Sequence, residues 1–324
     1  MGETMEGFLV SSKLVTVLMA VYNAPLGLLK EAIDSILGQT FRDVEFLIVD
    51  DGSEDEDVRA HLKWRTQQDP RVVVAWEPHR GLTASLNRGL ALANGTFIAR
   101  QDADDWSSPE RLERQLAHFA VHPEDAVCGS NAWTHQQDGR ALWRTDLPLT
   151  HAQLLQAFPR GNPFVHGSVM FKKTEALAAG GYCETFRCSQ DYDFFWRLAE
   201  RHGAANLPEP LYHYRYTSGS ISAGRATEQL RAHHAIRRLA EARRDGDSED
   251  PRAALAQANG SEVSVFHALL KQADHLMLAG DYRKAARSYL DLLAEHPQSP
   301  LAWGKIARLG VFRTMPFLRA ASFR

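Results

Sequence analysis

The sequence predicts an α/β fold: a mostly parallel, Rossmann-like sheet with helices on both faces, followed by an all-α C-terminal region. Short apolar runs alternate with longer amphipathic runs from residue 14 to about residue 100. Strands that alternate with crossover helices form parallel sheets. Beyond residue 225 the pattern is helical only, and 324 residues exceed the usual size of one domain. We therefore expect one large α/β domain and a helical addition.

The first half of the chain predicts a regular alternation of elements. Short, apolar, β-branched runs predict buried strands at 14–20, 44–49, 71–76 and 96–99. Apolar residues at helical spacing, or a polar helical run, predict helices at 26–38, 54–68 and 82–90. The third helix stops at Asn94-Gly95, and Ser108-Pro109-Glu110 begins a further one.

The second half is less regular. Residues 129–165 predict loops with one short helix near 150–158. The elements predicted after them are a strand at 167–171, a helix at 191–201, a strand at 211–215 and a basic helix at 225–244. The polar stretch 244–251 is the predicted linker. We divide the chain into an α/β domain, 1–225, and a helical domain, 226–324.

Residues 273–303 resemble one tetratricopeptide helical hairpin. Small residues such as Ala279 and Ala285 stand where two helices would cross, Tyr282 and Tyr289 fill the gap, and Pro297 follows. Only one copy is visible, whereas repeat arrays need about three for stability. A helical cap on the α/β domain is therefore favoured over a repeat array.

Composition narrows the classes of partner and location. A net charge of -3 and a pI near 6.5 give no electrostatic footprint for nucleic acid, so we expect no nucleic-acid partner. Three cysteines are too few for a disulfide framework and predict reduced thiols. No apolar run reaches about 18 residues, and Glu3 and Glu6 stand where a signal peptide would be positive. These features predict a cytoplasmic protein.

The C-terminal tail is basic and amphipathic. After Glu295 there is no acid, and apolar residues alternate with Lys305, Arg308, Arg313, Arg319 and Arg324. Such a segment either lies on an anionic membrane surface or docks on its own domain with the basic side solvated. Both interpretations stay open, and the first would place the protein on the cytoplasmic face of a membrane.

Two predicted strands end in acidic clusters. Asp50-Asp51-Gly52-Ser53 follows the second strand, and Asp102-Ala103-Asp104-Asp105 follows the fourth. Ligands bind at the carboxyl ends of parallel strands. Neighbouring carboxylates repel one another, and a magnesium or manganese ion that carries a diphosphate compensates them. The alternative is an ordinary turn at each place, with Asp105 capping the next helix.

Six motifs in order resemble the inverting glycosyltransferases of family two, which have the glycosyltransferase A fold. The resemblance covers roughly residues 13–220. Each motif is weak alone, and the agreement of order and spacing makes the set specific. The motifs are VTVLMAVYN (15–23), SILGQTF (35–41), DDGS (50–53), GLTASLNRG (81–89), DADD (102–105) and QDYDFFWR (190–197).

The resemblance implies a nucleotide-sugar donor bound at the strand ends. Ala20, through its backbone, and Tyr22 would lie against the base. Asp51 would read the base, with Asp50 supporting its loop. Arg80 would contact the donor.

The same resemblance implies a divalent metal ion at the second acidic cluster. Asp102 would face the ribose or the metal, Ala103 would line the donor site, and Asp104 would be the principal metal ligand. Arg100 would orient these carboxylates through an ion pair. Many relatives add a histidine after the final Tyr-Arg, but Tyr216 and Thr217 follow Tyr214-Arg215 in this chain, so His213 or Arg215 is a candidate substitute.

Asp191 occupies the family's catalytic position. Direct displacement at an anomeric carbon needs a base for the acceptor hydroxyl, opposite the leaving diphosphate. Asp191 stands at the start of a predicted helix, where it is also a candidate N-cap. Gln190 replaces the second acid of many relatives, and His166-Gly167-Ser168 matches a stretch on the acceptor side.

We therefore expect an inverting, metal-assisted sugar transfer to a saccharide, lipid-linked or other hydroxyl acceptor. UDP is favoured by the resemblance alone, with dTDP and GDP open. A sugar nucleotidyltransferase is disfavoured because residues 20–25 lack a glycine-rich phosphate loop. A non-catalytic nucleotide-sugar-binding scaffold is the other alternative. Homo-oligomerisation through the helical region also stays open.

Overall fold

The computed structural model describes residues 14–219, 225–260, 265–301 and 303–305. Within these residues one sheet of nine strands carries helices on its two faces, and four helices follow it. The predicted α/β fold with a helical C-terminal region is confirmed.

The first half of the sheet is parallel. β1 pairs with β2 and β4, and β2 pairs with β3, all in parallel. The carboxyl ends of β1, β2 and β4 therefore meet at one edge. The elements are β1 (Val15–Val21), α1 (Leu26–Leu37), β2 (Val44–Asp51), α2 (Glu56–Gln68), β3 (Val72–Glu77), α3 (Leu82–Leu92) and β4 (Phe97–Gln101).

Alternate residues of the central strands enter two hydrophobic clusters, one on each face. On β2, Phe46 and Ile48 join the first cluster, and Leu47 and Val49 join the second. The first cluster contains side chains of α1, α2 and α4 (Arg111–Val121), and the second contains those of α3 and α7 (Gln190–Ala199). Burial on both faces explains why these strands are continuously apolar.

The second half of the sheet is mixed. The strand order is β3-β2-β1-β4-β8-β6-β9-β5, with β7 paired to β6. β6 runs parallel to β9 and antiparallel to β8. The remaining elements are β5 (Trp106–Ser107), β6 (Asp125–His135), β7 (Ala141–Arg144), α5 (His151–Ala157), β8 (Met170–Lys172), α6 (Lys173–Ala178) and β9 (Gly203–Arg215).

The predicted loops of 129–165 are wrong over their first part, where β6 and β7 lie. Gly129, Ser130 and Asn131 are poor strand formers, but pairing with β9 overrides their propensity. The helix expected near 150–158 is present as α5. The strand predicted at 167–171 begins later, at Met170, after a 3-10 turn, and the strand predicted at 211–215 is the end of the longer β9.

Four helices follow the sheet: α8 (Ala226–Asp245), α9 (Pro251–Gly260), α10 (Val265–Ala279) and α11 (Tyr282–Glu295). Ile236 and Leu239 of α8 belong to the same buried cluster as Phe194 of α7. The helix that opens the predicted helical domain therefore shares its core with the α/β part. The predicted polar linker coincides with the break between α8 and α9.

The expected helical hairpin is formed by α10 and α11, which turn at Gly280 with a φ of 85°. It has its own small core, which includes Ala273 and Tyr289. Its Tyr282 hydroxyl lies 3.2 Å from Gln136 Nε2, just after β6. The hairpin therefore contacts the sheet.

The cysteines and the chain end bear on two further predictions. Cys128, Cys183 and Cys188 are free thiols, as expected.

None of the helices in the described ranges is long and apolar enough to cross a membrane. Lys305 forms an ion pair with Asp274 at 2.8 Å, and the rest of the basic tail lies outside the described residues.

Candidate active site

The strand register places the predicted donor-site residues side by side. Val21 of β1 stands opposite Asp50 of β2, and Met19 stands opposite Gln101, the last residue of β4. The two acidic clusters therefore flank the end of β1. A ligand at this edge reaches both.

The Asp51 carboxylate is buried and accepts three hydrogen bonds. Its Oδ1 accepts from the Arg80 backbone N–H at 2.9 Å and from the Ser85 hydroxyl at 2.8 Å. Its Oδ2 accepts from the Gly81 N–H at 2.9 Å and lies 2.9 Å from His79 Nδ1. Asp51 thus fixes the loop before α3, and its role in reading the base stays a prediction.

Gly52 allows this loop to lie close to the strand end. Its φ is 75°, and a Cβ there would stand 2.7 Å from the backbone nitrogen of His79. Glycine adopts such a positive φ without the steric cost that a side chain would bring. Asp50 is fully buried beside it and accepts from the Ser53 N–H at 3.2 Å, which supports the same turn.

An aromatic platform lies at the end of β1. Tyr22 stacks on His79 with ring centroids 4.0 Å apart and an angle of 23° between the rings. Tyr22 and the Arg80 side chain are exposed, and Ala20 is half-buried. The platform offers a flat, accessible surface for a base. His79 carries no signal in the sequence except its place before Arg80.

The second acidic cluster is held by two arginines. Arg100 is buried and pairs with Asp102 at 2.6 Å, as the sequence predicts. Asp105 is buried too, accepting from the Tyr212 hydroxyl at 2.9 Å and from the Arg215 N–H at 2.6 Å. Asp105 therefore anchors the loop to β9.

The Asp104 carboxylate is only partly compensated by its surroundings. It accepts one side-chain hydrogen bond, from Thr217 Oγ1 at 3.3 Å. Burial and then the Asp102 charge raise the pKa of Asp104 to about 6. The cost of holding two carboxylates together is removed by a cation between them.

The donor atoms fit a hard divalent cation. Asp102 and Asp104 supply carboxylate oxygens, the ligands that magnesium and manganese prefer. Within the described parts of the chain, no three acidic, histidine or cysteine side chains form a complete cage. Such ions commonly bind through one or two carboxylates plus substrate phosphates. The residues therefore fit a metal that arrives with a diphosphate.

His213 and Arg215 are the candidate substitutes for the family's histidine. In the described residues, neither side chain forms a hydrogen bond with the Asp104 carboxylate. His213 lies 3.0 Å from His135 and stacks on Trp106. Arg215 places its guanidinium over Trp106, 4.5 Å from the ring centroid, and donates to the Asp104 carbonyl oxygen. The residue in contact with the Asp104 carboxylate is Thr217, which the sequence did not single out for that role.

A glycine brings the predicted acceptor stretch onto the acidic loop. A Cβ at Gly167 would stand 2.0 Å from the Tyr212 hydroxyl and 2.8 Å from Asp102 Oδ2. His166 lies 3.2 Å from the Tyr182 hydroxyl. Burial lowers the pKa of His166, and the charge of Arg100 adds to this, while Asp191 and Asp102 oppose it. The charges of Asp191 and Asp102, the two acids predicted to be functional, thus both act to raise the pKa of His166.

Asp191 stands in the first turn of α7. Its Oδ2 accepts from Asn162 Nδ2 at 2.7 Å, and Oδ1 has no hydrogen-bond partner among the residues that the structure describes. Ser189 is the N-cap residue, with a φ of 60° and no side-chain cap, so Asp191 is not the N-cap. Asp193, two residues on, pairs with Arg197 at 2.7 Å and is buried.

Sequence comparison identifies the family that these features suggest. The family model described as "Glycosyl transferase family 2" matches residues 16–181. The amylovoran biosynthesis glycosyltransferase AmsE of Erwinia amylovora is 30% identical over 227 residues, covering 69% of this chain and 84% of that protein. The putative glycosyltransferase EpsE of Bacillus subtilis (strain 168) is 31% identical over 217 residues, covering 64% and 74%.

Solved structures share the fold. TarS of S. aureus, in complex with UDP-GlcNAc, matches with a TM-score of 0.57 and 18% identity, covering 86% of this chain and 83% of that one. The mannosyltransferase PcManGT from Pyrobaculum calidifontis, in complex with GDP-Man and Mn2+, matches with a TM-score of 0.55 and 18% identity, covering 96% and 88%.

Proposed function

The chain belongs to glycosyl transferase family 2 and is a glycosyltransferase that uses a nucleotide-sugar donor, and on that premise we propose an inverting, metal-assisted transfer with Asp191 as the general base. The acceptor is a hydroxyl of a saccharide or a lipid-linked sugar. The donor nucleotide is UDP or GDP, the nucleotides of the sugar donors bound in the two structural neighbours.

The observation that carries the proposal is the state of the Asp191 carboxylate. Asn162 holds one of its oxygens at 2.7 Å, and the other, which has no hydrogen-bond partner in the described part of the chain, can accept from an acceptor hydroxyl. A general base must lie within hydrogen-bond distance of the proton that it takes. Its neighbour Asp193 is neutralised by Arg197, so it does not compete for that task.

The donor side is organised by separate residues. Tyr22 and His79 would stack on the base, and the loop fixed by Asp51 would line it. Asp102 and Asp104 would hold the divalent cation, with Arg100 orienting Asp102. When bound, the cation would stabilise the charge of the departing diphosphate. Asp191 would take the proton of the acceptor hydroxyl at Oδ1 as that oxygen bonds to the anomeric carbon and the bond from this carbon to the nucleotide diphosphate breaks.

The test is transfer from UDP-sugars and GDP-sugars with manganese present, for wild type and Asp191→Asn. The variant is expected to lose about 10²- to 10⁴-fold in transfer, the usual contribution of a general base. Its affinity for UDP or GDP is expected to stay unchanged. Equal transfer rates for wild type and Asp191→Asn would remove Asp191 from the mechanism.

Asp193→Asn is the matched control, because it changes the other acid of the same helix turn. It breaks the buried pair with Arg197 and is expected to reduce stability but not the transfer rate of the folded protein. The anomeric configuration of the product, read by NMR, tests inversion separately. A product that keeps the donor's configuration rejects single displacement.

A further inference from the structure

Three residues after β9 connect the acidic loop to the C-terminal hairpin. Thr217 donates from Oγ1 to Asp104 Oδ2 at 3.3 Å. Its carbonyl oxygen lies 3.0 Å from Nε2 of His275, on α10. One residue therefore contacts the proposed metal ligand with its side chain and the hairpin with its backbone.

His275 is suited to hold this contact. It is buried, with 6% of its surface exposed. A carbonyl oxygen only accepts hydrogen bonds, so Nε2 must carry the proton. Burial lowers the pKa of His275, so the ring is neutral near pH 7. The Tyr216 ring packs edge-on against it with centroids 5.1 Å apart.

The other side of the segment is attached to the end of β6. The Tyr216 N–H donates to the His135 carbonyl oxygen at 2.9 Å, and the Ser218 N–H donates to Gln137 Oε1 at 3.4 Å. Tyr282 of the hairpin reaches Gln136 at 3.2 Å. Residues 216–218 are thus held between β6 and α10, and their position depends on both.

We propose that His275 is a positioning residue, which sets the orientation of the Asp104 carboxylate through Thr217 and so controls the affinity of the site for a divalent cation. This inference rests on the proposed metal role of Asp104. Thr217 and His275 both lie beyond residues 16–181, the part that the family model matches. The hairpin would thus complete a donor site whose acids belong to the family region.

Partners that orient a metal ligand contribute strongly to metal affinity. Removing such a partner typically weakens metal binding by about 10- to 100-fold. Thr217 contacts the ligand directly, so Thr217→Val is expected to weaken binding about tenfold. His275 acts one step further away, so His275→Ala is expected to weaken it about fivefold, at the lower end of coupling between sites.

The experiment measures Mn2+ binding by calorimetry in the presence of UDP. His275→Gln is expected to recover most of the affinity, since its amide donates to the Thr217 carbonyl oxygen. The double variant His275→Ala/Thr217→Val should bind no more weakly than Thr217→Val, because both changes remove one pathway. Independent, additive losses would overturn the inference.

Leu293→Ala is the control for general damage to the hairpin. Leu293 is buried in the hairpin core and makes no hydrogen bond to Thr217. It should lower the melting temperature at least as much as His275→Ala but leave Mn2+ affinity unchanged. If Leu293→Ala weakens binding as much as His275→Ala, the effect is loss of stability and the inference is wrong.

Hydrogen exchange of the metal-free protein separates this inference from the proposed function. His275→Ala should speed exchange of the Arg215 N–H, which donates to Asp105, and of residues 216–218. Wild type that binds no Mn2+ removes the metal role of Asp104, and the affinity claim falls with it. Unchanged exchange in His275→Ala overturns the positioning role even if Mn2+ binds.

Discussion

Asp51 is the last residue of one buried parallel strand and Asp104 follows another, yet their carboxylates have opposite surroundings. Two backbone N–H groups, a hydroxyl and an imidazole surround Asp51. Asp104 accepts one long side-chain bond and lies near Asp102, and burial with that charge raises its pKa to about 6. The first acid holds the protein's own loop, whereas the second, on our proposal, binds a cation from outside. Similar acidic turns would then serve structure in one case and ligand binding in the other.

The substitution Asp104→Asn tests this comparison most strongly. We expect transfer to fall about a thousandfold, because charge stabilisation worth several kcal/mol is lost. The same change should raise the melting temperature of the metal-free protein, since it removes a buried charge beside Asp102. Initial rates and calorimetry check the two effects. Wild-type transfer by this variant would show that Asp104 holds no essential metal.

Asp51→Ala should have the opposite effect on stability. It leaves the N–H groups of Arg80 and Gly81 without their acceptor, at a cost of about 3 kcal/mol in the free energy of unfolding. Urea denaturation measures that loss. If Asp51→Ala is as stable as wild type and fails only in nucleotide binding, the carboxylate reads the base and does not hold the loop.

Metal binding should distinguish the two acids by stabilisation. Mn2+ with UDP at about 100 times the dissociation constant should add about 2.7 kcal/mol to the free energy of unfolding. EDTA should reverse this. Asp104→Asn should lose the stabilisation, and Ser85→Ala, which removes one bond to Asp51, should keep it. If Ser85→Ala loses the stabilisation and Asp104→Asn keeps it, the metal binds at the Asp51 loop and not at the Asp104 loop.

The smallest expected effect is on the pH dependence of the free energy of unfolding. It comes from His213, which stacks on Trp106 just after the second acidic cluster. Burial, with a contribution from His135, lowers the pKa of His213 from 6.5 to about 4. Between these values the unfolded chain binds a proton that the folded chain does not, so stability falls as the pH drops from 6.5 towards 4. His213→Gln should reduce this loss by about 1 kcal/mol at pH 5.5. A parallel pH profile for variant and wild type would contradict it.

The sequence predicts the parallel half of the fold well, because buried parallel strands are continuously apolar and their helices are amphipathic. It fails at β6, where Gly129, Ser130 and Asn131 form a strand because β9 pairs with them. Local propensity cannot report such pairing.

The sequence likewise predicts one part of the candidate site and misses another. Its acids are visible because they follow strands, and the Arg100 ion pair follows from adjacency. Asn162, Thr217 and His275 were missed in their roles because each acts through a contact distant in sequence. Asn162 reaches Asp191 across 29 residues, and Thr217 reaches Asp104 across 113. Single polar residues in irregular segments carry no pattern that predicts such contacts.

The Thr217–His275 contact also has a consequence for synthesis. A ribosome adds about 5 to 20 residues per second, so roughly 10 to 30 s pass between the addition of Asp104 and that of His275. During that time the acids of the donor site have been made but α10 has not. The emerging chain therefore carries the family's acidic loop before the residue that, on our proposal, orients it. Translation order itself delays completion of the site until the hairpin has formed.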